Sequence, residues 1–226
     1  MYIDFILQHT DHNEAETKDL VTKLVQRNHI NSITAPPYLT KLVKSIIGDK
    51  PIDFSCLVDY PLGISDSKTR EFATTQAIKS GVNAIDIVIP QNLAANRKYD
   101  KIREDVRNIT SIANEKNVTV RYILEYRVFD HHCLKKICEI FETLNVNYIF
   151  PSSGYFLDNL ADNIIASVFL HQHSKNLKII CSGNIWNTKH FETIQKSGLF
   201  GFRTNSYHAI ENFVIFNYAQ QKNNGV

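Results

Sequence analysis

The stretch Ala84-Ile85-Asp86-Ile87-Val88-Ile89-Pro90 decides how the rest of the chain is read. It is an apolar, β-branched run holding one carboxylate and stopped by a proline, the pattern of a strand. Side chains alternate along a strand, so Ala84, Asp86 and Val88 share a face. Working outward, comparable runs occur at residues 2–7, 30–35, 52–58, 118–124, 147–150, 177–181 and 199–202. Amphipathic stretches of helical period lie between them at 14–28, 67–80, 98–116, 130–144, 157–173 and 188–196, with a last one at 207–221. Strand-like and helix-like segments alternate without a linker or a second composition. This predicts an α/β chain folded as one (β/α)8 TIM barrel over residues 1–220, with a polar, frayed tail at 221–226.

A flavodoxin-like open sheet is the alternative, and it calls for a glycine-rich first turn. The first connection, Gln8-His9-Thr10-Asp11-His12-Asn13, has no glycine, and no GxGxxG or P-loop occurs elsewhere.

Composition narrows the function classes. The chain has 226 residues, 43% of them hydrophobic and 21% charged, with a formal charge of +2. Lysine and arginine are scattered, with no basic run, so nucleic acid is not an expected partner. No apolar run is long enough to span a bilayer, and the N-terminal residues lack the basic start of a signal peptide. Cys56, Cys133, Cys138 and Cys181 show no CxxC spacing and read as reduced, buried thiols of a cytoplasmic protein.

Several blocks, in order, resemble the deoxyribose-phosphate aldolase family. Tyr60-Pro61-Leu62-Gly63, then Lys68 and Glu71, then Gly81 and Ala84 to Pro90, resemble its FPLG…K…E…G…EIDMVIN-type signature. Arg121-Tyr122-Ile123-Leu124-Glu125 is similar to a K-V-I-L-E-type strand. Asn147 to Gly154 stands against D-F-I-K-T-S-T-G, and Ile180 to Thr188 against K-A-S-G-G-I-R-T. The resemblance runs from Ile3 to about Phe213 and implies the barrel. It also implies that Asp86 is the family's catalytic aspartate, that Phe150 stands where the Schiff-base lysine belongs, and that Ile180 replaces a second lysine. Gly154, Gly183 and Ser206 remain from the phosphate-binding pattern, whereas Asn184, Trp186 and Asn205 depart from it.

If the family register holds, Asp4, Thr34, Asp86, Arg121, Glu125 and Lys178 face the barrel interior. Two readings stand side by side. In one, these are mutually satisfied core charges. In the other, Asp86 and Glu125 act as general acid and base at the C-terminal ends of the strands. Lys178 starts its strand and is expected to be structural, buried or snorkelling. An aromatic and an aliphatic at 150 and 180, with Trp186 and Tyr155 nearby, either suit an apolar or aromatic ligand better than a sugar phosphate or fill the cavity as core packing; the partner expected is a small carbonyl or aromatic compound. Three functions remain open: a lyase without an imine, a binding or regulatory scaffold, or an ordinary aldolase. A homodimer is compatible with each. No cofactor is expected, and His9-x-x-His12, His131-His132 and His171-x-His173 read as solvated histidines rather than ligands.

Overall fold

β1 (Tyr2–Ile6) leads into α1 (Glu14–Gln26), and the same alternation repeats around a computed structural model that describes residues 1–9, 11–26, 29–156, 160–183, 185 and 187–223. β2 (Ser32–Ala35) is followed by a 3-10 turn (Pro37–Leu39) and α2 (Thr40–Ile47). Next come β3 (Asp53–Val58), α3 (Ser67–Lys79), β4 (Ala84–Val88), α4 (Gln91–Ala95) and α5 (Tyr99–Asn114). The circuit ends with β5 (Thr119–Ile123), α6 (His131–Thr143), β6 (Tyr148–Phe150), α7 (Leu160–Gln172), β7 (Lys178–Cys181), α8 (Thr188–Lys196), β8 (Gly201–Thr204) and α9 (Tyr207–Asn223). The strands pair in parallel and in sequence order, and β8 closes on β1. This is the single-domain (β/α)8 barrel expected from the alternation. α9 carries residues 221–223 of the stretch expected as a tail, and 224–226 lie outside the described residues.

Each strand has two buried faces, for different reasons. Outward side chains such as Ile3, Phe5, Ile33, Phe54, Ile85, Ile87, Tyr122, Ile149, Ile179 and Phe202 join the helices in one continuous core. Fully burying each aliphatic or aromatic side chain stabilises the fold by roughly 1.5–3 kcal/mol. Inward, Val88, Ile123, Phe150 and Ile180 form a separate, smaller cluster on the β4–β7 side. The opposite side of the interior is polar: Asp4, Ser32, Thr34, Ser55 and Asp86 are all fully buried.

Helix starts follow local chemistry. Asp66, Asp130 and Asn187 each accept a hydrogen bond from the backbone N–H three residues on, at 2.9, 2.8 and 3.2 Å, capping α3, α6 and α8. Asn13 and Glu16 exchange reciprocal bonds of 2.9 and 3.0 Å, a capping box at the head of α1. α2 was not among the expected helices, although Leu42, Val43, Ile46 and Ile47 recur at helical spacing over its eight residues. The eighth strand was expected at 199–202 and lies at Gly201–Thr204, because its register with β1 pairs Tyr2 with Gly201 and Asp4 with Arg203.

Candidate functional site

Two cross-strand register pairs meet in the barrel centre. Arg203 sits opposite Asp4 across β8–β1, and Arg121 sits opposite Asp86 across β4–β5. The guanidinium of Arg121 donates to Asp86 at 2.6 and 3.0 Å, to Asp4 at 3.1 Å, to Thr34 at 2.8 Å and to Ser32 at 3.0 Å. Arg203 donates to Asp4 at 2.5 Å, to Thr34 at 3.1 Å and also to Asp86. Ser55 completes the shell, donating to Asp86 at 2.6 Å. Two carboxylates thus face two guanidiniums, and the network neutralises itself as a buried set of charges must.

Burial alone would push the Asp86 carboxyl upward. The guanidiniums of Arg121 and Arg203, with the bonds from Arg121 and Ser55, outweigh burial and hold it below the ordinary aspartate value. A carboxylate offers about four lone-pair sites, and those of Asp86 already face Ser55, Thr34, Arg121 and Arg203. Such a group stays ionised and has no acceptor left to offer a substrate.

Phe150 is fully buried at the inner end of β6, and its ring is a plate for the cations. The Arg203 guanidinium lies 3.6 Å from the ring centroid and that of Arg121 lies 5.3 Å away. Ile180 packs beside Phe150 and Val88 in the apolar half of the interior.

Above this layer the C-terminal ends of the strands form a mouth. Tyr60, in the turn after β3, reaches across it to donate to the Ser153 carbonyl at 2.6 Å, and Gln8 bonds to the Tyr60 hydroxyl. Burial, opposed by Arg203 and aided by Glu125, pushes the Tyr60 hydroxyl up to about 12, so it remains a donor. Glu125 follows β5 with a backbone φ of 54° and accepts from the Ser153 N–H. Beside this latch is a cleft of about 100 Å³ lined by Gln8, Gly154, Ser182, Gly183, Arg203 and Asn205. It opens next to a groove of about 500 Å³ flanked by Tyr38, Tyr60, Pro61 and Tyr155, with Gln8, Gly154 and Asn205 common to both. Among the described residues Arg203 Nη1 is buried without a hydrogen-bond partner, and it belongs to a residue that lines the cleft.

The expected residues therefore separate. Asp4, Thr34, Asp86 and Arg121 gather in the central network, Phe150 and Ile180 in the apolar half, and Glu125 at the mouth. Gly154 and Gly183 line the cleft with φ of 82° and 123°, whereas Ser206 bonds through its hydroxyl to the Ala209 N–H at the head of α9. Trp186 and Asn184 lie outside the described residues. Lys178 is exposed where β7 starts, at the end of the barrel away from the mouth, and takes the snorkelling position expected of it rather than a buried one in the interior. Its ammonium lies 4.9 and 5.0 Å from the rings of Tyr148 and Phe200, a cation–π position over apolar surface with the charge in water.

Sequence reading missed Arg203, Tyr60 and Gln8. Arg203 was lost because the expected strand ended one residue before it, and alternation from Gly201 would have pointed it inward. Tyr60 and Gln8 act from connections, where periodicity carries no signal.

No family model matches the chain. The deoxyribose-phosphate aldolase of Clostridium tetani is 27% identical over 158 residues, 69% of this chain and 73% of that one. That of Syntrophotalea carbinolica is 26% identical over 190 residues, 83% and 84% of the two chains. These relatives support the deoxyribose-phosphate aldolase family. Two solved structures show the same fold. One is described as "QR15, an Aldolase", with a TM-score of 0.83, 20% identity and 97% and 96% of the two chains covered. The other is the tetrameric deoxyribose phosphate aldolase of Aeropyrum pernix, with a TM-score of 0.83, 16% identity and coverage of 95% and 89%. Among the described residues, no helix is long and apolar enough to cross a membrane.

Proposed function

We propose that this chain is a divergent relative of the deoxyribose-phosphate aldolases that forms no Schiff base and serves as a small-molecule binding barrel. The observation that carries the reading is Phe150. The family resemblance puts the imine-forming lysine there, and an aryl ring stacked 3.6 Å from Arg203 supplies no amine. Among the described residues, no lysine lines the cleft or the groove at the mouth. Asp86, which the resemblance makes the proton-transfer group, is fully buried and bonded on both oxygens. That arrangement suits a structural anchor better than an acid/base pair with Glu125.

The mouth keeps features of a binding site. A cleft of about 100 Å³ holds roughly three waters' worth of liquid volume. Arg203 lines it, and the buried Nη1 of that residue, with no hydrogen-bond partner among the described residues, is a donor that an entering carbonyl or similar oxygen would satisfy. The adjoining groove presents Tyr38 and Tyr155, 70% and 58% exposed, as walls for an aromatic or apolar body. A small carbonyl compound with an aromatic or apolar portion matches both halves, and a homodimer in the cytoplasm remains compatible with this reading.

Borohydride trapping tests it. The chain is incubated with acetaldehyde, and separately with 2-deoxyribose 5-phosphate, then reduced and weighed intact by mass spectrometry. The expected result is unmodified mass and no acetaldehyde release from the sugar phosphate. A reduced adduct on any lysine, Lys178 included, or turnover of the sugar phosphate would overturn the proposal. In the same series a small aryl ketone should raise the melting temperature of the natural chain and leave Tyr155→Ala unchanged.

A further inference from the structure

The connection between β1 and α1 brings three metal-type donors together at the rim of the mouth. His9, Asp11 and His12 each offer a ligand atom, and these atoms all lie within 4.8 Å of one another. The two imidazole rings are stacked, with centroids 4.3 Å apart and planes 12° from parallel. From this geometry we infer that His9, Asp11 and His12 form a binding site for a divalent transition metal of the zinc type.

Second contacts point the same way. His9 Nε2 lies 3.1 Å from the Asn205 carbonyl oxygen. A carbonyl can only accept, so Nε2 is the donor in this contact and Nδ1 is the nitrogen that can face an ion. Metal-bound histidines are typically oriented in this way, one ring nitrogen donating to a carbonyl or carboxylate while the other binds the ion. The donor set, two imidazoles and a carboxylate, matches the borderline preference of zinc and its neighbours rather than magnesium or calcium.

The chain holds this cluster at both ends. On one side Leu7 is tied to β2 by its N–H bond to the Thr34 carbonyl, at 2.8 Å. On the other, the Asn13–Glu16 capping box fixes the residue after His12 at the head of α1. Zinc–nitrogen and zinc–oxygen bonds of about 2.0–2.2 Å in a tetrahedron need donor atoms roughly 3.4 Å apart. The donor atoms, all within 4.8 Å of one another, draw together to that spacing when the ion binds. Three protein ligands leave a fourth position open, the pattern of sites that also take water or a ligand. Asn205, which orients His9, lines both the cleft and the groove, so that position belongs to the mouth. The site does not depend on whether the mouth binds a carbonyl compound.

The test uses the full chain after treatment with a chelator. Zn²⁺ is titrated by calorimetry, and Co²⁺ by the visible absorption that appears when the ion enters a low-symmetry nitrogen and oxygen site. One equivalent of each is expected to bind, with Zn²⁺ tighter than Co²⁺. His9→Ala and His12→Ala should each weaken binding by at least the roughly 10–100-fold that loss of even an outer partner costs. Asp11→Asn should weaken it as well, while His131→Ala leaves it unchanged. All four positions lie outside the core, so unchanged melting temperatures show that the variants remain folded. Absence of saturable binding, or binding that survives both histidine substitutions, would overturn the inference.

Discussion

Asp86 is the residue on which the barrel interior turns. Ser55, Thr34, Arg121 and Arg203 all address one carboxylate, and removing its charge leaves two guanidiniums facing only Asp4. Breaking a buried pair from one side costs about 3–5 kcal/mol. Asp86→Asn should therefore lower the melting temperature at neutral pH by on the order of 10 °C. The pH dependence follows from the direction of its shift. Burial raises the folded value, the two guanidiniums lower it further than that, and the net value lies below the unfolded one. Its contribution is then complete above the ordinary aspartate value of about 3.9 and is lost as pH falls through the depressed folded value. Thermal melts of the two proteins should differ most near neutrality and converge in strong acid. A gap that stays constant from pH 7 to pH 2 would show that Asp86 acts through shape rather than charge. Much of this residue's setting was legible: alternation, read in the register that the family resemblance implies, placed Asp4, Thr34, Asp86 and Arg121 inside together. The second cation was assigned to Lys178 instead of Arg203, because the eighth strand was expected to end at residue 202, and the register that carries it on to Thr204 is fixed by pairing with β1, distant in sequence.

At the scale of elements, Gly63, which ends the turn Tyr60-Pro61-Leu62-Gly63, acts through its backbone. Gly63 has φ of 60°, and a Cβ built there would run into the Ile89 carbonyl and the Val88 side chain. Its N–H donates to the Asp59 carbonyl at 2.9 Å, and its own carbonyl accepts from Gln91 N–H at 3.0 Å, so the turn is tied to the start of α4. Gly81 has φ of 85° but nothing within 4 Å of a built Cβ. Gly81→Ala should lose only the backbone strain of the left-handed region, roughly 1–2 kcal/mol. Gly63→Ala adds steric overlap with main chain that cannot move without shifting β4, and it should lose clearly more. Urea midpoints of the two variants check this, and equal losses would mean the turn yields to the extra carbon. The sequence pointed to this turn through family resemblance alone, since a close approach between backbones leaves no mark on periodicity. The same holds for Arg70, buried between α3 and α5, which bonds Asp105 at 3.0 and 3.1 Å and Asp59 at 2.5 Å. A guanidinium on a helix reads as solvated until its partners on other elements are known.

For the whole molecule, closure of β8 onto β1 ties the first element to the last strand, so no part of the sheet can leave without breaking a neighbour's hydrogen bonds. The four cysteines are well placed to report on this. All are buried thiols rather than disulfides: Cys56 and Cys181 lie on outward faces of β3 and β7, and Cys133 and Cys138 lie on the inner face of α6. Burial, aided by the nearby Asp86 charge, pushes the Cys56 thiol up to about 12. Burial with Glu142 and Glu139 does the same for Cys138. Neither thiol is ionised in the folded state at neutral pH, and a disulfide reagent reaches them only through opening. If the closed barrel opens as one unit, all four thiols should react together, over the same guanidinium range in which circular dichroism loses its helical signal. The measurement is Ellman's reagent at stepped denaturant, with labelled peptides assigned by mass spectrometry. Early reaction of Cys133 and Cys138 alone would show α6 detaching first, and early reaction of Cys56 or Cys181 would show the sheet itself parting. Either result would mean that the central ion-pair network does not bind the two halves of the barrel into one cooperative structure.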